Sequence, residues 1–93
     1  SYDACMEEIE NCIAAPDRVE DHYEAKVLAR TIEHFLDTLS RENRVIFMRR
    51  YWYSDSYGEI AALMGLTEKN VSVRLTRLRK QLRAYLMEQG VLT

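Results

Sequence analysis

The last third of the chain restricts its folding most. Val71, Leu75, Leu78 and Leu82 fall at i, i+4, i+7 and i+11, the single narrow apolar stripe of an α-helix with one buried side. Stepping about 100° per residue, the opposite face carries Lys69, Val73, Thr76, Arg77, Lys80 and Arg83, with Arg74 and Arg79 on its flanks. No Asp or Glu occurs between Lys69 and Met87. A solvated helix face usually mixes signs, with Glu placed four residues before Lys or Arg. A one-signed stripe repels itself unless an anion meets it.

The residues just before this helix give it a partner. Ser56 and Glu59 form the sequence pattern of a capping box, and Ile60, Ala61, Leu63 and Met64 follow as the apolar face of a helix of about two turns. Gly65 lacks the Cβ that hinders a sharp turn, Leu66 is placed to bury in the angle, and Thr67 is a good N-cap. Residues 57–83 therefore read as a helix-turn-helix with a basic second helix, and the anion it predicts is DNA.

Charge is divided along the chain in the same sense. Residues 1–40 hold three basic and ten acidic residues, a net of −7, whereas residues 41–93 hold ten basic and five acidic, a net of +5. The overall charge of −2 thus hides a basic lobe suited to nucleic acid and an acidic lobe with another role.

The 93 residues, 47% hydrophobic, suffice for one small domain with a modest core. The longest apolar run, residues 60–66, is interrupted by Gly65 and is far shorter than the roughly 20 residues of a membrane span. A soluble, cytoplasmic protein without membrane attachment is expected. The chain opens on Ser1 in an acidic context, unlike a signal peptide, and is expected to be an excised fragment.

Cys5 and Cys12 lie seven apart, with His22 and His34 well downstream, which is no zinc spacing. On one helix their Cα atoms would stand about 10 Å apart, out of disulfide reach. Both are expected as ordinary reduced thiols, and no metal or cofactor is expected. Nothing resembles a phosphate loop or a nucleophile paired with a histidine, so an enzyme is the least favoured class.

Along the chain, residues 3–15 look weakly helical and acidic and end before Pro16 and Asp17. Residues 1–16 are expected as an acidic linker or N-terminal extension, and residues 17–93 as the domain. From Asp17, apolar residues including Val27, Leu28, Ile32, Phe35, Leu36 and Leu39 recur at helical spacing, opposite Glu20, Asp21, Glu24, Glu33 and Asp37. Ser40 caps a further helix with Val45, Ile46, Met48, Tyr51 and Trp52 on its apolar side. The aromatic group of Tyr51, Trp52, Tyr53 and Tyr57 suggests either core or a base-stacking platform, and core is favoured because such platforms sit on sheets or groove floors. No strand alternation appears. The fold class expected is all-α, with four main helices near 17–38, 40–52, 55–63 and 67–89 and Gly90 as the final stop.

These residues resemble a known family. Leu39 with Ser40, the apolar helix from Phe47 to Tyr51, Tyr57 with Glu59, Ile60 and Ala61, the turn at Gly65, and Arg74, Leu75, Arg77 and Arg79 together look like the fourth conserved region of bacterial sigma factors, particularly the extracytoplasmic-function type. The resemblance covers about residues 35–86. It implies a domain that sits on core RNA polymerase and places its second helix in the major groove of the minus-35 promoter element. It also implies that apolar residues such as Phe35, Leu36, Val45, Ile46 or Phe47 contact polymerase or an anti-sigma protein. The chain has Lys69 and Asn70 where many members carry Gly-Thr, and Ser72 and Val73 where a basic and a small polar residue are common. The promoter sequence preferred therefore does not transfer.

Roles within the helix follow from geometry. The N-terminal part of a recognition helix reaches base edges, so Glu68, Lys69, Ser72 and Val73 are the expected readers. Lys69 is suited to guanine O6 and N7, Glu68 to a cytosine amine, and Val73 to a thymine methyl. Arg74, Arg77, Lys80 and Arg83 are expected at phosphates, Thr67 and Asn70 add neutral phosphate contacts, and Thr76 lies on the same face. The expected partner is double-stranded promoter DNA, bound by a monomer. Two alternatives from other classes stand: the output domain of a dimeric regulator, which would need a two-fold symmetric site, and a purely protein-binding helical module. The acidic half is either a solvated face or a shield for the basic helix.

Overall fold

A computed structural model of the protein describes residues 2–13 and 25–92, and every described element is a helix. α1 (Tyr2–Ile13), α2 (Ala25–Asp37), α3 (Arg41–Tyr51), α4 (Tyr57–Met64) and α5 (Glu68–Glu88) follow one another in sequence. The break expected at Pro16, the helix start at Asp17 and His22 lie outside the described residues.

α5 is the spine. Val71, Leu75, Leu78, Leu82 and Leu86 are all at most 2% exposed, so the apolar stripe of the sequence is the inner face of this helix. Each fully buried side chain of this kind contributes about 1.5–3 kcal/mol relative to exposure. α1, α2, α3 and α4 all pack against α5. Phe35 of α2 stacks edge-on to Phe47 of α3, with ring centroids 6.0 Å apart, and tilts against Tyr85 of α5 at 5.6 Å. Aromatic contacts of this geometry add to simple burial.

The caps follow the expected chemistry. Ser40 Oγ accepts from the Asn43 N–H at 3.2 Å. Ser56 Oγ accepts from the Glu59 N–H at 3.0 Å while Glu59 Oε1 accepts from the Ser56 N–H at 2.8 Å, a complete capping box. Gly65 has φ 68°, the left-handed conformation in which a side chain is strained. At the far end of α5, Gly90 has φ 78°. There the Gly90 N–H donates to the Met87 carbonyl at 3.1 Å and the Val91 N–H to the Leu86 carbonyl at 2.9 Å. This is a Schellman turn, and it folds Leu92 back into the core.

Several expectations are corrected by the packing. Residues 2–13, expected as part of a linker or extension, form a helix whose Cys5, Ile9 and Ile13 are buried in the common core. These three lie at i, i+4 and i+8, a stripe too short to stand out from an acidic composition. Phe35, Leu36, Ile46 and Phe47 are buried and Val45 is half-buried, so four of the five apolar residues expected at a protein partner are core instead. Phe47 takes the inner place that Trp52 was expected to fill, because Ile46, Phe47 and Tyr51 define the buried side of α3. Trp52 and Tyr53 are 50% and 60% exposed, and Leu63 of α4 is 60% exposed.

Candidate nucleic-acid interface

Two helices fix the surface. α4 packs against α5, and the left-handed Gly65 reverses the chain so that Thr67 can start α5. Thr67 Oγ1 accepts from the Asn70 N–H at 3.0 Å, which satisfies one of the free donors of the first turn. The positive end of the helix axis then opens outward beside exposed Lys69 and Asn70.

The expected site residues divide by environment. Thr67, Glu68, Lys69, Asn70, Val73, Thr76, Arg77 and Lys80 are exposed, and Ser72 is half-buried beside them. Thr67 is the N-cap, and the other eight lie on the solvent side of the first thirteen residues of α5. Among the described residues, Lys69, Arg77 and Lys80 form no ion pair, and all three side chains are exposed. The Glu68 carboxylate instead leans back over α4, where a Cβ on Gly58 would stand 2.5 Å from its Oε1. Thr76 Oγ1 donates to the Ser72 carbonyl at 2.9 Å and accepts from Arg79 Nη2 at 3.3 Å.

Arg74 and Arg83 are placed differently from the rest. Arg74 turns to α3, where its Nη1 pairs with the Glu42 carboxylate and reaches Asn43 Oδ1 at 3.5 Å. Arg83 Nη1 donates to the Cys12 and Ile13 carbonyls at 2.9 and 3.0 Å. Those carbonyls belong to the last described residues of α1, on its C-terminal side, where the helix dipole is negative. Helical angle alone made Arg83 part of the outer stripe, and the docking of α1 turns its guanidinium inward.

A second charged group, which the sequence reading did not assemble, lies where α1, α3, α4 and α5 meet. Glu8 receives Arg50 as a fork, Nε to Oε1 at 3.2 Å and Nη2 to Oε2 at 2.6 Å. It also accepts from the Tyr51 hydroxyl at 3.0 Å, the Tyr57 hydroxyl at 3.2 Å and Arg79 Nη1 at 3.3 Å. Arg79 Nη1 donates in addition to the Tyr51 hydroxyl at 2.8 Å, and the Arg50 guanidinium stacks 4.5 Å from the Tyr57 ring centroid. Partial burial opposes ionisation of Glu8, but the bonds from Arg50 and Tyr51 and the charges of Arg50 and Arg79 prevail and hold its carboxyl below the usual range. Burial pushes the Tyr51 hydroxyl up, against the neighbouring Arg79. Tyr51 and Tyr57 thus have structural work, whereas Trp52 and Tyr53 stand outside. The signal for this cluster was the position of Glu8 beside Ile9 and between Cys5 and Ile13, on the edge of the buried face of α1.

The link between α3 and α4 is pinned as well. Arg49 Nε pairs with Asp55 Oδ2 at 2.6 Å and lies 4.5 Å from the Tyr53 ring centroid. Arg50 Nη1 donates to the Asp55 carbonyl at 2.8 Å. Across the left-handed Ser54 (φ 59°), these bonds fix where α4 begins relative to α3.

Among the described residues no group of His, Cys, Asp and Glu is arranged to hold a metal ion, and no helix is long and apolar enough to cross a membrane. The family model described as Sigma-70, region 4 matches residues 29–82. Comparisons with curated proteins and with solved structures gave no match. The matched segment runs from within α2 through α3 and α4 to Leu82 of α5, so it contains the helix-turn-helix and its basic outer face and leaves out α1. On more than half of its length, and with the helix order and exposed basic surface that promoter binding requires, the chain belongs to the sigma-70 region 4 family of DNA-binding, promoter-recognition domains.

Proposed function

We propose that this domain, of the extracytoplasmic-function type, recognises the minus-35 promoter element and docks on core RNA polymerase to direct transcription initiation. The observation that supports it most is the exposed face of α5 at Lys69, Arg77 and Lys80, which form no ion pair among the described residues. α5 enters the major groove with its first turns. Glu68, Lys69, Ser72 and Val73 read base edges, while Arg77 and Lys80 meet phosphates with Thr67, Asn70 and Thr76 as neutral supports. Arg74 joins them only by exchanging Glu42 for a phosphate. Exposed Trp52, Tyr53 and Leu63 leave apolar surface for a protein partner, polymerase or an anti-sigma protein. The domain acts as a monomer in the cytoplasm and carries out no catalysis.

Selection of bound duplexes from a random DNA pool, with and without core RNA polymerase, tests this reading. A short non-palindromic motif, enriched further by polymerase, is the expected outcome. A palindromic motif bound without polymerase would replace it with a dimeric regulator. No enrichment in either setting would leave a protein-binding module.

A further inference from the structure

α1 offers the basic lobe the same chemistry that a DNA backbone offers. Its Glu8 carboxylate takes Arg50 and Arg79, and its terminal carbonyls at Cys12 and Ile13 take Arg83. Anionic or dipolar oxygens therefore meet three guanidinium groups along one flank of α3 and α5. Arg83 lies three residues beyond Lys80, so this flank continues the exposed strip of Lys69, Arg77 and Lys80 toward the end of α5.

The attachment of α1 is limited in extent. It is a 12-residue helix, below the length at which a helix holds itself in water. Its described buried anchors are Cys5, Ile9 and Ile13. Removing α1 would leave α2, α3, α4 and α5 packed on one another through the leucine stripe, because the contacts of α5 with α2, α3 and α4 do not pass through α1.

We infer that α1 is an internal stand-in for phosphate, a detachable acidic helix that withholds Arg50, Arg79 and Arg83 from DNA until a duplex displaces it. The inference rests on the DNA-binding reading above. Docked, α1 limits phosphate contact to the exposed outer side of α5. Released, it frees three further cations beside the strip and exposes the thiol of Cys5, which is 1% exposed when docked.

The test uses the intact chain and a short mixed-sequence DNA duplex. The rate at which a thiol reagent labels Cys5, read by mass spectrometry of its peptide, is expected to rise several-fold when the duplex saturates the protein. Glu8→Gln, which weakens the hold on Arg50 and Arg79, is expected to tighten binding several-fold with a salt slope like that of wild type, because the same guanidinium groups meet phosphate in both complexes. Binding with unchanged or slower Cys5 labelling, and the same affinity for wild type and Glu8→Gln, would overturn the inference while leaving DNA binding in place. Failure to bind the duplex even at low salt would overturn both. The labelling measurement needs no variant, so it decides the matter even where Glu8→Gln fails to fold.

Discussion

Two sides of α5 carry similar numbers of cations and use them oppositely. On the outer side Lys69, Arg77 and Lys80 are exposed without an ion pair among the described residues, whereas on the side turned to α1 and α3 Arg79 and Arg83 are bonded to Glu8, Tyr51 and the last described carbonyls of α1. Arg77 and Arg79 are two residues apart and differ by about 200° around the helix axis, enough to place one on the surface and the other in a network joining four elements. A basic residue in a recognition helix is thus not in itself evidence of a nucleic-acid contact. The carboxylates and carbonyls nearby decide what it does.

Substitution along α5 breaks this comparison most sharply in the core. Leu75→Ala, at a fully buried position, is expected to cost about 2–5 kcal/mol, a large share of the total stability of a domain this size. Chemical denaturation measures it, and a loss below 1 kcal/mol would show that the stripe is not the spine described here. Next in size, Arg79→Ala leaves Glu8 and Tyr51 short of a donor and is expected to cost about 1–3 kcal/mol. Arg77→Ala should leave the denaturation midpoint in place and instead lower the salt slope of DNA binding by about one. If the two variants behaved alike in both assays, the division of α5 into a free and a bonded side would be lost.

The smallest effect concerns acid. Glu8 has its folded pKa depressed below the ordinary value of 4.5, so its contribution is fully present above that value and is lost as pH falls through the depressed folded pKa. The stability difference between wild type and Glu8→Gln is expected to be constant from neutral pH down to about 5 and to narrow below 4.5. A difference that instead widened in acid would mean that the arginines do not stabilise the ionised carboxylate.

Much of the α3–α5 architecture was legible in the sequence because its signals are local. The capping box at Ser56, the turn at Gly65 and the stripe from Val71 to Leu82 each depend on residues a few positions apart, and each appears as expected. The assignment of the exposed face at Lys69, Arg77 and Lys80 follows from the same periodicity. What escaped depends on contacts across the chain. Glu8 meets Arg50 and Arg79 over separations of 42 and 71 residues, and no spacing rule links them. Composition made residues 1–16 look like a linker, although Cys5, Ile9 and Ile13 anchor a helix. Trp52 and Leu63 were placed inside on hydrophobicity alone, but the inner sides of α3 and α4 are already filled by Phe47, Tyr51, Ile60 and Ala61.

The unbroken length of α5 has a mechanical consequence. From Leu86, clamped by the Schellman turn and by Leu92, to Lys69 is about 25 Å of continuous helix at 1.5 Å per residue. A tilt of about 10° pivoting at the clamped end would carry the Lys69 end sideways by about 4 Å, near the spacing of successive base pairs. Any ligand gripped by the first turns is therefore held in register by the burial of α5 along its whole length, from Val71 beside the grip to Leu86 at the far end.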